Sequence, residues 1–237
     1  MDGFIYHNIF DTKGIEYLVI IVFFLLLIPF WLLLNKQDKI KEQFRKAVGV
    51  LSATVLRIPQ GIFFSKNHTW AYLEKSGTAK VGVDDLLLHI TGELSICQLK
   101  NPGEHVSKGE LMAEMDQNGK SLKVFSPISG TIVNSNPILD RNPGLLCNDP
   151  YEQGWLYTIK PSLWVEQIPS LLMADDATQW FNRELLRFKD FLALNMVKYS
   201  PDPLMVTLQD GGELSDNSLS DMPNEMWQDF QKEFLNP

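Results

Sequence analysis

The chain is short of the residues that carry chemistry. Its 237 residues include only two cysteines and four histidines. Cys97 and Cys147 are too few for a disulfide framework, and their expected role is as small buried hydrophobes. His7, His68, His89 and His105 show no ligand spacing with one another or with the cysteines, which argues against a metal site. No phosphate-cradling loop, nucleophile elbow or HExxH motif occurs, so no catalytic residue is assigned and an enzyme is not expected. Positive charge is also scarce. With a formal charge of −8 and no basic cluster interleaved with aromatics, the sequence excludes nucleic acid as a partner.

What the chain does have is a long apolar run. Residues 17–34 (YLVIIVFFLLLIPFWLLL) carry no charge, and with Ile15 and Glu16 they make about 20 residues, enough to span a bilayer as a helix. Acids at Asp2, Asp11 and Glu16 before the run, and Asn35-Lys36-Gln37 after it, do not fit a cleaved signal peptide. A transmembrane helix over 15–35, kinked at Pro29, is therefore expected after an external segment over 1–14. Lys36, Lys39, Lys41, Arg45 and Lys46 follow the run and only Lys13 precedes it, which places the C-terminal part in the cytoplasm. The reading is a single-pass protein of the inner membrane.

Ile40, Phe44, Val48, Leu51 and Val55 then recur at helical spacing. They predict a juxtamembrane amphipathic helix or stalk over 36–60, either prolonging the membrane helix or lying on lipid headgroups. From Gly61 the texture changes to short β-like runs separated by glycine, proline and asparagine. Candidate strands start at Trp70, Ala79, Leu94, Leu111, Lys123 and Gly130.

Across this stretch the residues fall into an order that resembles a known family. Phe64, His68 and Trp70, then Gly77, Gly82 and Val83, then Pro102, Gly103, Val106, Lys108, Gly109 and Glu110 are similar in identity and spacing to the glycine cleavage system H-protein. So are Pro127, Ser129, Gly130, Val133, Asn134 and Pro143, the Asn148-Asp149-Pro150-Tyr151 run, and Gly154-Trp155-Leu156. The resemblance covers residues 61–161 and implies a mainly β, barrel-sandwich hybrid fold of the lipoyl-domain type, with helices at its ends. Each shared residue also has a plain structural reading. Gly77 and Gly82 suit turns or close strand approach, Trp70 and Trp155 are anchors, and His68 suits packing or hydrogen bonding.

In that family a lipoyl group rides on one lysine at the tip of a β-hairpin. Counted from Gly109 to Gly130, the residue at the lysine position here is Gly119, and Lys120 comes one place late. Asn118-Gly119 is the strongest short signal for a two-residue type I′ turn, which puts Gln117 opposite Lys120 and leaves the lysine on a strand. A one-residue offset matters because successive strand side chains face opposite ways. A non-lipoylated domain is the primary expectation, with Lys120 as the candidate lipoyl site of an active carrier and Lys123 as a weaker one. An outward-facing membrane-fusion adaptor is the competing fold, and it lacks support because only two residues separate the half-motifs here.

Beyond Lys160 a helical extension is expected over 162–198. Asp175 or Asp176 serves as its cap with Gln179 completing a capping box, and Phe181, Leu185, Phe188 and Leu192 form an apolar stripe. Trp180, Phe188 and Phe191 are a surplus of aromatics that leaves room for a partner surface. Residues 199–237 hold eight acids against one lysine, nearly the whole net charge, and predict a mostly disordered acidic tail. Within it Met226, Trp227, Phe230 and Phe234 fall at helical spacing, either as a helix-in-groove element for a partner or as a segment folding back on its own domain. The functional expectation is a membrane-tethered scaffold that recruits a cytoplasmic protein to a membrane complex of redox or respiratory type. The alternatives are a lipoyl carrier of the glycine cleavage or sulfur-transfer kind using Lys120, and a structural spacer.

Overall fold

The computed structural model describes residues 17–27, 30, 50–52, 54–199 and 214–236. The chain divides into two units, residues 1–48 and 49–237. In the first, residues 17–27 are helical with exposed side chains. Among the described residues no helix is long and apolar enough to cross a membrane. Residues 15, 16, 28, 29 and 31–35 of the expected span, Pro29 among them, and residues 36–49 of the expected stalk lie outside the described residues.

The second unit is mainly β, with helices toward its C-terminus. Its strands are β1 (Val50–Leu51), β2 (Phe63–Phe64), β3 (Thr69–Leu73), β4 (Ala79–Val83), β5 (Ser95–Gln98), β6 (His105–Val106), β7 (Leu111–Gln117), β8 (Lys120–Phe125), β9 (Gly130–Ser135), β10 (Tyr157–Pro161) and β11 (Leu214–Ser215). They form a six-stranded sheet in the order β2-β3-β4-β10-β9-β6, a three-stranded sheet β5-β7-β8 and a two-stranded pair β1-β11, all antiparallel.

Alternation explains how the two larger sheets share a core. Val81 and Val83 of β4, Tyr157 and Ile159 of β10 and Ile132 of β9 are buried on one side; Met112, Met115, Leu122 and Val124 of β7 and β8 are buried on the other. Tyr157 stitches the sheets together. Its hydroxyl donates to the Met112 carbonyl at 2.8 Å and accepts from the Lys100 N–H at 3.1 Å, so a phenol buried in the core keeps both partners. Gly82 is fixed by close approach, because a Cβ there would lie 2.7 Å from the Trp70 ring. Trp70 in turn donates its indole N–H to the Val83 carbonyl at 3.0 Å.

Helix α1 (Asp85–Thr91) follows β4, with Asp84 accepting from the Leu87 N–H at 2.9 Å as its cap. A four-residue helix, α2 (Leu145–Asn148), and another, α3 (Trp164–Gln167), decorate the loops. The long helix α4 (Ala174–Tyr199) has 26 residues, so about 39 Å at 1.5 Å per residue. Its expected stripe is real: Phe181, Leu185, Phe188 and Leu192 are all buried. The helix starts before the expected cap, so Asp175 and Asp176 lie inside its first turn, where a carboxylate favours the helix N-terminus. Trp180 and Phe191 are buried as well, so the aromatic surplus is core and not a partner surface.

Two expectations about the ends of the unit are corrected. The amphipathic helix or stalk expected over 36–60 does not include Leu51, which lies in β1, pairs with Leu214 and is buried. Sheet pairing with a distant segment overrides the local helical spacing there. The described part of the acidic tail, residues 214–236, is ordered on the domain as β11, helix α5 (Asn224–Phe230) and a closing π-helical turn over Gln231–Leu235.

Candidate functional site

The carrier-like hairpin is built by β7 and β8. Gln117 pairs with Lys120, Asp116 with Ser121, Met115 with Leu122 and Glu114 with Lys123. Asn118 and Gly119 form the apex with φ of 54° and 81°, both in the left-handed region, as a type I′ turn requires. The Gly119 N–H donates to Asp116 Oδ1 at 3.3 Å, and no atom lies within 4 Å of where a Gly119 Cβ would be. The apex therefore stands free in space with no amine on it. At the mouth, Gln117 Nε2 donates to the carbonyls of Thr91 and Glu93, each at 2.9 Å, which ties the hairpin to the end of α1.

Lys120 is on the strand, half-buried, and engaged. Its Nζ donates to the Ser220 carbonyl at 2.6 Å and sits 5.7 Å from the centre of the Trp227 ring. Lys123, the weaker candidate, has an exposed side chain. Its backbone is bound: its N–H donates to Gln231 Oε1 at 2.6 Å, and Gln231 Nε2 reaches its carbonyl at 3.5 Å. The Gln231 amide thus pairs with the open edge of β8 much as a neighbouring strand would.

Met226, Trp227, Phe230 and Phe234 take the second of the two expected courses: they fold back and are buried on their own domain, at 0%, 0%, 0% and 2% exposure, and do not form the partner-binding stripe. Phe230 and Phe234 stack at 4.8 Å, and Phe188 and Phe191 of α4 meet both rings within about 6 Å. Trp227 donates its indole N–H to the Leu219 carbonyl at 2.8 Å. The stripe found its apolar partner within the chain, and complete burial of side chains of this size is worth about 1.5–3 kcal/mol each.

Two charged clusters hold these parts in place. His68 is wholly buried, with Nδ1 2.9 Å from Asp84 Oδ2 and Nε2 3.5 Å from Glu184 Oε1, the second contact being too long for a good hydrogen bond. Burial would lower its pKa, but the two carboxylates carry it up to about 9. The packing role expected for His68 is what it has, since it binds α4 to the β domain. In the second cluster Arg57 meets Asp85 at 2.6 Å, His89 Nε2 lies 3.5 Å from Asp85 Oδ2, and His89 Nδ1 lies 2.9 Å from Asp216 Oδ1. Burial opposes the His89 charge, yet Asp216 and Asp85 raise its pKa to about 9. Sequence reading gave no sign of this second cluster, because its members come from three separate stretches of chain, Arg57, the α1 pair Asp85 and His89, and Asp216.

The cysteines differ from expectation. Cys97 is exposed on β5; Cys147 is half-buried, its thiol pushed up to about 11 by burial, which leaves it a poor nucleophile. Beside the hairpin apex lies a cleft of about 530 Å³ lined by Glu93, Ser95, Asp116, Asn118 and Pro143 among others. No activated nucleophile lines it. Among the described residues no group of three or more His, Cys, Asp or Glu is placed to hold a metal ion. A lipoyl group needs a lysine amine presented at the apex, and these residues do not offer one: the apex is Asn118-Gly119, and the Lys120 amine points into contacts with the C-terminal segment.

A family model described as glycine cleavage H-protein matches residues 62–184. A probable glycine cleavage system H protein of Thermococcus kodakarensis is 32% identical over 118 residues, covering 50% of this chain and 87% of the relative. The glycine cleavage system H protein of Xylella fastidiosa is 32% identical over 122 residues, covering 52% and 92%. Among solved structures, a glycine cleavage system H protein from Mycobacterium marinum is 30% identical, covering 49% of this chain and 93% of that one with a TM-score of 0.44.

Proposed function

The chain belongs to the glycine cleavage H-protein family, and from that premise we propose that it is a non-lipoylated member, tethered to the cell membrane, that uses the carrier fold as a binding module. It recruits a cytoplasmic protein to a membrane complex and has no enzymatic activity of its own. The observation that carries this reading is the hairpin apex: Asn118 and Gly119 stand where a carrier needs a lysine, and the nearest amine is bound to the Ser220 carbonyl. The membrane tether rests on the uncharged run over residues 17–34 and on the basic residues that follow it. Redox and respiratory complexes are the class of assembly proposed.

The competing reading, a working carrier that moves a group on Lys120, draws on the family itself. Lys120→Arg separates the two, because arginine keeps the charge but cannot accept the amide link. A binding module carrying Lys120→Arg still co-purifies from detergent-solubilised native membranes with the same proteins as wild type, and its host grows normally. Loss of growth with the complex still assembled would establish the carrier. Protease added to intact cells leaves the C-terminal part uncut if it is cytoplasmic; cleavage of that part would overturn the orientation.

A further inference from the structure

The segment that covers Lys120 lies beyond residues 62–184, the stretch shared with the family. It is fastened first at its beginning, against β1. There β11 pairs with β1, Leu214 with Leu51 and Ser215 with Val50. Asp216 then meets His89 at 2.9 Å, and His89 and Arg57 share Asp85. The backbone follows α1 closely, with Asn217 N–H donating to the His89 carbonyl at 2.7 Å and Leu219 N–H to that of Ile90 at 3.0 Å. Only after this fastening does the chain reach Ser220, whose carbonyl holds Lys120, and then Trp227 and Gln231, which cover β8.

We propose that residues 214–236 are an intramolecular cap over the Lys120 side of the hairpin, clasped by β1 and by the Arg57–Asp85–His89–Asp216 chain. The Lys120 amine is open to acylation only when this clasp loosens. The proposal deepens the non-lipoylated reading on which it rests, because it gives the reason a lysine one place from the carrier position is withheld from an acylating enzyme. It also links that lysine to β1. A change in β1 reaches the hairpin through the cap, without any contact of its own with Lys120.

The test uses the full-length chain in detergent micelles, produced in cells starved of lipoate, and a limiting dose of the N-hydroxysuccinimide ester of acetic acid. In the labelling step an amide bond forms at the lysine nitrogen, the ester C–O bond breaks, N-hydroxysuccinimide leaves, and the amine proton passes to buffer. Peptide mapping then gives a rate for each lysine. Lys120 labels about tenfold or more slowly than the exposed Lys75 and Lys123, as for a group reactive only from a locally opened state. Asp216→Asn and His89→Gln each raise Lys120 labelling and the hydrogen exchange of residues 214–236 together, with Lys75 unchanged.

Wild-type Lys120 labelling as fast as Lys75 would overturn the cap. Exchange rising only around Asp85–Thr91 in both variants, with Lys120 still shielded, would overturn the clasp. Should His89→Gln fail to fold, Asp216→Asn decides, since its site is partly exposed and the amide keeps the shape of the carboxylate. Failure here leaves the native modification state untouched, and a lipoyl adduct found on the native protein leaves these rates untouched, so the two readings fall separately.

Discussion

The Lys120 ammonium donates to the carbonyl of Ser220 at 2.6 Å, a contact between residues one hundred positions apart. It joins the hairpin by which the family is recognised to a segment outside the family match. A lysine in that position acts as an anchor for the C-terminal segment, and the consequences can be measured one at a time.

The first concerns the segment's contribution to stability. Trp227 and Phe230 are fully buried. Trp227→Ala and Phe230→Ala each lower the unfolding free energy by about 3–5 kcal/mol, through lost burial and the cavity left behind. Urea denaturation of the variants measures this; a change within 0.5 kcal/mol, roughly what a surface position gives, would mean that the segment is not docked in solution.

The second concerns pH. His68 and His89 both have folded pKa values of about 9 against an ordinary 6.5, so the stability they contribute is complete below about 6.5 and is lost as pH rises through about 9. Asp85 and Glu184 have lowered values, so their contribution is present above the ordinary carboxylate range and fades as pH falls below it. Urea midpoints are therefore highest between about pH 5 and 6.5 and fall toward pH 9.5. The alkaline slope is reduced in His68→Gln. An unchanged slope in that variant would remove His68 from the account.

The third concerns the apex. Gly119→Lys puts an amine where the family carries one, at a site with open space and a φ of 81°. The left-handed backbone costs about 1–2 kcal/mol, which a folded domain tolerates. Co-expressed with a lipoyl ligase and lipoate, Gly119→Lys gains the lipoyl mass at residue 119. No gain in a folded variant would mean that more than the apex lysine has been lost.

Much of this was readable where the signal is local. Asn118-Gly119 specified the turn and the pairing of Gln117 with Lys120 through backbone chemistry alone, and the candidate strands at Trp70, Ala79, Leu111 and Gly130 lie in β3, β4, β7 and β9. Phe181, Leu185, Phe188 and Leu192 announced the buried face of α4 by spacing. Features set by distant contacts were not readable. Leu51 shows a helical period yet pairs with Leu214; the run Leu86-Leu87-Leu88 is buried on nearly all sides of α1, so periodicity gave no cue. The spacing of Trp227, Phe230 and Phe234 gave an amphipathic helix correctly but not the surface that covers it. Arg57, Asp85, His89 and Asp216 meet only in the folded chain.

A carrier fold without a carried group has a distinct intact mass, read on the protein purified from its native host together with peptide mapping across residues 117–125. Lys120 and Lys123 are expected unmodified in cells whose other lipoyl proteins are fully modified. A lipoyl adduct on either lysine would contradict this and make the protein a working carrier.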